Sequence, residues 1–221
     1  MNTLELLPIA ARLDRWLDAH TRVRTWSGTA CTLPAGLSWT GLVLERGTVR
    51  LGEDVYPVRA GMVFVAPDGA ELSGGAGLAI GVVGFRGWPL VAGPIERLGR
   101  LRYIDGCTDT VLVSPPRRGD PCLNHLHLPA GTRQTAHWHP SLRAGVVARG
   151  SGRCVTGEGT TALTTGLGWW IPPGVVHAFH TDADALDVLA WHPETDTGPT
   201  DHDHPMVNRT MLGRPPEPET P

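Results

Sequence analysis

The sequence contains no lysine, and every basic side chain other than histidine is arginine. It also has no surplus of positive charge: 19 arginines against 22 acidic residues leave a formal net charge of −3. That balance argues against nucleic acid or an anionic membrane surface as a partner, since either needs a strongly basic face. No apolar stretch reaches the roughly 18 residues that a membrane-spanning helix requires. The opening residues lack a basic segment, an apolar run and a small-residue cleavage site, so the expected location is the cytoplasm. Cysteines are few and scattered. Cys31, Cys107, Cys122 and Cys154 form no Cys-x-x-Cys pair, and they read as reduced thiols packed in the interior.

What is abundant is glycine and proline, 28 and 20 residues, together more than a fifth of the 221-residue chain. Spread between short apolar runs, they favour many turns and many short strands. One early segment reads differently. Over residues 3–20, Leu6, Ile9, Leu13, Trp16 and Leu17 recur at helical spacing, with Pro8 suited to a first turn. This predicts an amphipathic helix packed on a sheet or on a second copy of the chain.

From Arg22 onward an internal repeat organises the chain. Thr32-Leu33-Pro34-Ala35-Gly36 recurs as His127-Leu128-Pro129-Ala130-Gly131, and each copy runs into a short apolar strand ending in a glycine turn, LVLERGTV and GVVARGSG. Each copy then reaches Gly-x5-Pro-x-Gly, at Gly61, Pro67 and Gly69 and again at Gly166, Pro172 and Gly174. The expected organisation is all-β, with a first unit over 1–106, a second over 107–212 and a disordered tail at 213–221 whose composition cannot bury enough apolar surface to order itself. A strand is expected at Thr110–Ser114 in the bridge between the units.

The copies differ where chemistry would sit. The second carries an insertion containing His137-Trp138-His139, and His177 follows Gly174 by three residues; the equivalent place in the first copy holds Leu72. His137 and His139 are two apart, so on a strand they share a face. With His177 brought round by closure of the barrel, three neutral imidazoles could hold one ion and leave coordination positions open. Fe, Zn, Ni, Cu and Mn all accept such donors.

Residues 128–181 resemble the cupin superfamily, through Gly131-x5-His137-x-His139, the glycine turn at Gly150 and Gly166-x5-Pro172-x-Gly174-x2-His177. With the degenerate first copy, the whole chain is similar to a bicupin of two jelly-roll barrels with an added N-terminal helix. The resemblance implies a fourth, glutamate ligand separated from the HxH by three or four residues, but those positions hold Arg143 and Ala144. A three-histidine centre is left. Such centres occur in thiol, gentisate-type and diketone-cleaving dioxygenases, which implies Fe(II) as the first candidate cofactor and an oxidoreductase as the first candidate activity. A redox-neutral isomerase, cyclase or lyase and a non-enzymatic small-molecule binder are the alternatives.

Without a carboxylate ligand the ion would keep its full dipositive charge, favouring a small anionic substrate. Arg143 is the candidate anchor for it, the other reading being a solvated arginine on the rim. His125 and His127 share one strand face before the second Pro-Ala-Gly. They are candidates for general base catalysis or for hydrogen bonding beside the metal pair, or else face away from the barrel. His180 is out of phase with His177 and is expected to face away, and His192 closes the last apolar strand. His202 and His204 form a second HxH in a polar loop, either a cover or late ligand of the site or a solvated turn. One of Trp169 and Trp170 should wall the cavity. A homodimer through edge strands or the helix is one expected assembly and a monomer the other.

Overall fold

A computed structural model describes residues 3–213. The expected tail from 214 onward lies outside the described residues. Strands dominate, as the glycine and proline content anticipates, and they form three antiparallel sheets. One is built from Glu5–Leu7, Gly168–Ile171, Arg143–Thr156, Leu186–His192, Cys122–Leu128, Thr108–Val113 and Leu101–Arg102, in that spatial order, with Gly159–Thr164 and His177–His180 flanking the far half of the long strand Arg143–Thr156. A second sheet runs Leu90–Ala92, Val63–Ala66, Ser38–Val43, Ala76–Val82, Thr21–Ser27 and Asp14–Trp16. The third holds Cys31–Leu33, Ala70–Gly74, Gly47–Leu51 and Asp54–Val58. No helix among the described residues is long and apolar enough to cross a membrane.

The helix expected over 3–20 is not formed. In its place stand the strand Glu5–Leu7, a single 3-10 turn at Ile9–Ala11 and the strand Asp14–Trp16. Two causes are visible. Pro8 is extended (φ −70°, ψ 113°) and Arg12 is left-handed (φ 49°), so the chain is broken on both sides of the turn. Both strands also find open edges, Glu5–Leu7 against Gly168–Trp170 and Asp14–Trp16 against Arg22–Arg24. The residues at helical spacing are therefore divided: Ile9 is buried, Leu13 and Leu17 are half-buried, and Leu6 and Trp16 are exposed. Tertiary pairing has overridden a local pattern.

The two copies of the repeat share backbone geometry at their turns. Gly61 and Gly166 adopt φ 80° and 90°, and Gly69 and Gly174 adopt 82° and 74°, a region that admits glycine without penalty. The strand expected at Thr110–Ser114 is present as Thr108–Val113. All four cysteines are free thiols, three of them buried and Cys31 half-buried.

Three apolar clusters hold the sheets. Trp26, Trp39 and Phe64 fill the space between the second and third sheets. Leu128, Val147, Leu163, Trp169 and Val188 fill the concave side of the first sheet. A further cluster joins Leu42, Leu78 and Ile80 of the second sheet to Leu123, Val146, Leu189 and Trp191 of the first, packing the two sheets face to face. The strands that serve two clusters alternate cleanly: along Leu186–His192, Leu186 and Val188 point one way and Leu189 and Trp191 the other. Gly145 permits close packing there, because a Cβ would sit 1.9 Å from the Leu189 carbonyl oxygen and 2.9 Å from the Trp169 ring.

Leu78 is fully buried between the two facing sheets. Leu78→Ala is expected to cost about 3 kcal/mol, from lost apolar transfer and the cavity left behind. Leu98, which is exposed, is the control: Leu98→Ala should stay within about 0.5 kcal/mol of the parent in chemical denaturation.

Candidate metal centre

His137 and His177 meet as an isolated antiparallel bridge. The His137 N–H donates to the His177 carbonyl at 3.0 Å, and the His177 N–H returns the bond at 2.8 Å. Directly opposed residues of such a pair project from the same face, and His139, two residues on, returns to it. The loop beyond is tied by the Gly174 N–H, which donates to the His139 carbonyl at 2.9 Å. The three rings form a triangle with centroid separations of 4.7, 5.1 and 5.3 Å. One nitrogen from each lies within 4.8 Å of the others.

Tautomers are settled by the backbone. His137 Nδ1 lies 2.9 Å from the Thr135 carbonyl and His177 Nδ1 lies 2.9 Å from the Val175 carbonyl. A carbonyl only accepts, so each Nδ1 carries the proton and each Nε2 keeps its lone pair. Burial is the main force driving His139 down to about 3 and His177 to about 4, with Arg143 and the neighbouring imidazoles adding to it. These are neutral donors at neutral pH, the form that binds a metal. The residues therefore fit a divalent ion held by nitrogen at about 2.0–2.1 Å, after small side-chain rotations. Among the described residues no carboxylate joins the group.

A cavity of about 250 Å³ opens beside the triad. Arg143 lines it from the start of the strand Arg143–Thr156. Its Nη1 donates to the Ser141 hydroxyl at 2.8 Å and to the Ser141 and Leu142 carbonyls at 3.2 and 3.0 Å. No carboxylate among the described residues forms an ion pair with it. Trp169, Ile171 and Phe179 supply an apolar wall, with Trp169 edge-on to Phe179 at 5.7 Å and Phe179 edge-on to His177 at 5.8 Å. Trp169 is the inward-facing member of the pair; Trp170 lies on the other face, donating to Glu5 at 3.0 Å. Gln134 Oε1 accepts from the Phe179 N–H at 3.0 Å. Gln134 Nε2 and Trp169 Nε1 are buried N–H groups of cavity-lining residues that find no acceptor.

His125 and His127 do not join the cavity. On Cys122–Leu128 it is Asn124 and Leu126 that line it, and alternation turns the two histidines to the opposite face. There His125 Nε2 and His127 Nδ1 converge on one Asp187 oxygen at 2.7 and 2.9 Å, and Arg149 Nε reaches the other at 3.0 Å. This buried ionic cluster braces the strands from behind; the histidines are not placed to act on a ligand. Likewise His180 is absent from the lining, and the exposed turn Thr200–Asp203 carrying His202 is tied to Arg117 rather than laid over the cavity.

Several lining residues escape a reading of the sequence. Asp109, Asn124 and His192 reach the cavity from three adjacent strands. Asn124 Nδ2 donates to Asp109 at 2.6 Å, and the Cys122 thiol lies 3.0 Å from His192 Nε2. His192 Nδ1 is 3.0 Å from the Glu194 carbonyl, and burial pushes this ring down to about 4. The signal was the phase of the strand: Leu126 and Leu128 are the apolar side, which puts Asn124, not His125, on the inner face.

An all-β chain with a histidine triad beside a barrel cavity defines the class. Residues 124–192 match the family model described as Cupin domain. Solved structures of the same fold include salicylate 1,2-dioxygenase from Pseudaminobacter salicylatoxidans, at 13% identity and TM-score 0.61, covering 80% of this chain and 72% of that one. A Cupin 2 conserved barrel domain protein from Leptotrichia buccalis matches at 12% identity and TM-score 0.60, covering 87% and 89%. A putative glyoxylate induced protein from Pseudomonas aeruginosa matches at 13% identity and TM-score 0.62, covering 90% and 92%. No curated protein matches the sequence. The family match covers residues 124–192, and at these identities the likeness to the solved structures is one of fold.

His139, His177 and His192 resist protonation when folded, whereas an unfolded chain protonates near the ordinary 6.5. Below that value the unfolded state binds more protons, so stability falls as pH drops from about 6.5 towards 4. Thermal melts of chelator-treated protein should show this decline, and His192→Gln should flatten it.

Proposed function

We propose that the chain is a metal-dependent cupin enzyme in which His137, His139 and His177 hold one divalent ion, and that it acts as a dioxygenase-type oxidoreductase on a small anionic metabolite. The observation that carries this reading is the triad itself: three convergent imidazoles, two with Nδ1 tied to backbone carbonyls so that Nε2 faces outward. Fe(II) is the first candidate, with Zn, Ni, Cu and Mn as other ions the donors suit. Bound iron would supply the redox link between an organic substrate and dioxygen. On this reading the sheets over residues 14–92 form a barrel without ligands, and the other described strands form a second barrel that keeps the site.

The chain's own residues do the rest. Arg143, half-buried and without a carboxylate partner among the described residues, holds the substrate's acid group on this reading. Trp169, Ile171 and Phe179 exclude water and favour a flat apolar body. The unpaired N–H groups of Gln134 and Trp169 suit an occupant rich in oxygen acceptors. A redox-neutral isomerase, cyclase or lyase is the second reading. It is favoured by the missing carboxylate ligand, because an ion with undiminished charge polarises a carbonyl well.

Protein purified without added metal is expected to carry close to one ion per chain, and His137→Ala to lose it; unchanged metal in that variant would falsify the central claim. Oxygen consumption on phenolic acids, diketones and thiols separates the two readings. Turnover of a carboxylate substrate by Arg143→Gln should show KM raised by about tenfold or more, the weight of a lost charged hydrogen bond.

A further inference from the structure

The histidine triad is not the cavity's whole polar equipment. Asp109 enters from the strand Thr108–Val113, opposite Leu126, and lines the same cavity as Arg143 and the three histidines. It is not among the residues that converge as metal donors. It forms no ion pair with Arg143 or any other cation among the described residues. Its Oδ2 accepts one strong hydrogen bond, at 2.6 Å, from Asn124 Nδ2. A confined cavity thus holds an unpaired guanidinium and an unpaired carboxylate that do not neutralise each other. Keeping both half-desolvated is costly unless an occupant meets each.

Resting on the metal-site reading above, we propose that Asp109 accepts the proton of a substrate hydroxyl, so that the substrate class is a small acid or phenol with an ionisable hydroxyl. Arg143 takes the anionic group. With the substrate hydroxyl beside Asp109, its O–H bond breaks, the proton passes to the Asp109 carboxylate, and the electron pair stays on the substrate oxygen. Nothing is oxidised or reduced in this step. Asn124 is a positioning residue, since its amide fixes one carboxylate oxygen and so orients the group.

The surroundings of Asp109 favour a base of intermediate strength. Burial raises its affinity for a proton above the ordinary carboxylate value, while hydrogen bonds from Asn124 and from the Thr110 backbone act against it. Tyr103 ahead of the strand, Cys122 on the neighbouring one, and His192 and Arg143 on the cavity wall are the other ionisable groups near it.

The test uses the zinc-loaded full chain and 4-nitrocatechol, whose visible spectrum reports its ionisation and which zinc cannot oxidise. Wild type should bind the deprotonated probe at neutral pH. Asp109→Asn should retain its metal but need a pH higher by about one unit for the same spectrum. Asp109→Glu, which keeps the carboxylate, should restore most of the shift. Coincident spectral titrations for wild type and Asp109→Asn, with binding abolished by His137→Ala, overturn the Asp109 assignment and leave the metal site standing. Binding that survives His137→Ala overturns both.

Discussion

Two backbone hydrogen bonds, exchanged between His137 and His177, hold the candidate site together. Neither residue sits within a long stretch of ladder on its own side: His137 lies in the loop after the second Pro-Ala-Gly, and His177 begins a four-residue strand. The reciprocal bonds make an irregular loop behave locally as a strand. They bring two imidazoles 40 residues apart to the same face, and the alternation of the extended backbone adds His139 without further cost. The side chains then need little to orient them. Each of the paired histidines binds a carbonyl two residues earlier in its own chain, so tautomer and bridge come from the same few residues. A substitution that unsettled the bridge would disturb ring placement and proton placement together.

That arrangement was partly legible in residues. The HxH spacing, the Gly-x5-Pro-x-Gly-x2-His run and the repeat marked the three histidines and an all-β fold, because glycines at positive φ and a two-residue period are local properties that a sequence displays. What was not legible was phase. His125 and His127 are as well spaced as His137 and His139, but they face the buried Asp187 on the other side of the sheet. Two apolar residues, Leu126 and Leu128, carried the deciding information, and a strand with apolar side chains on both faces dilutes it. The early segment failed for another reason. Its apolar spacing suits a helix in isolation, but open edges of two sheets competed for the same backbone and won.

The electrostatics of the two faces of one strand differ in kind. Behind Cys122–Leu128, a carboxylate is shared by two histidines and an arginine, a closed group with its charges matched. In front, Asp109 and Arg143 share a cavity without pairing, and the histidines are held neutral by burial. Matched charge belongs to scaffolding; unmatched charge in a concave, half-dry space is what a ligand completes. The same polypeptide segment supplies both, separated only by the pleat.

The strand Glu5–Leu7 crosses from the beginning of the chain to the sheet edge at Gly168–Trp170, where Glu5 also receives the Trp170 indole N–H across 165 residues and binds Arg15 at 2.6 Å. On a ribosome delivering residues in order, this segment has no partner until nearly all of the barrel that it completes has emerged. Its neighbours in sequence can pair at once, since Asp14–Trp16 and Thr21–Ser27 are a local hairpin. A strand made well before the rest of its sheet is thus among the last able to be seated, a late clasp whose long loop closure slows the final step of assembly.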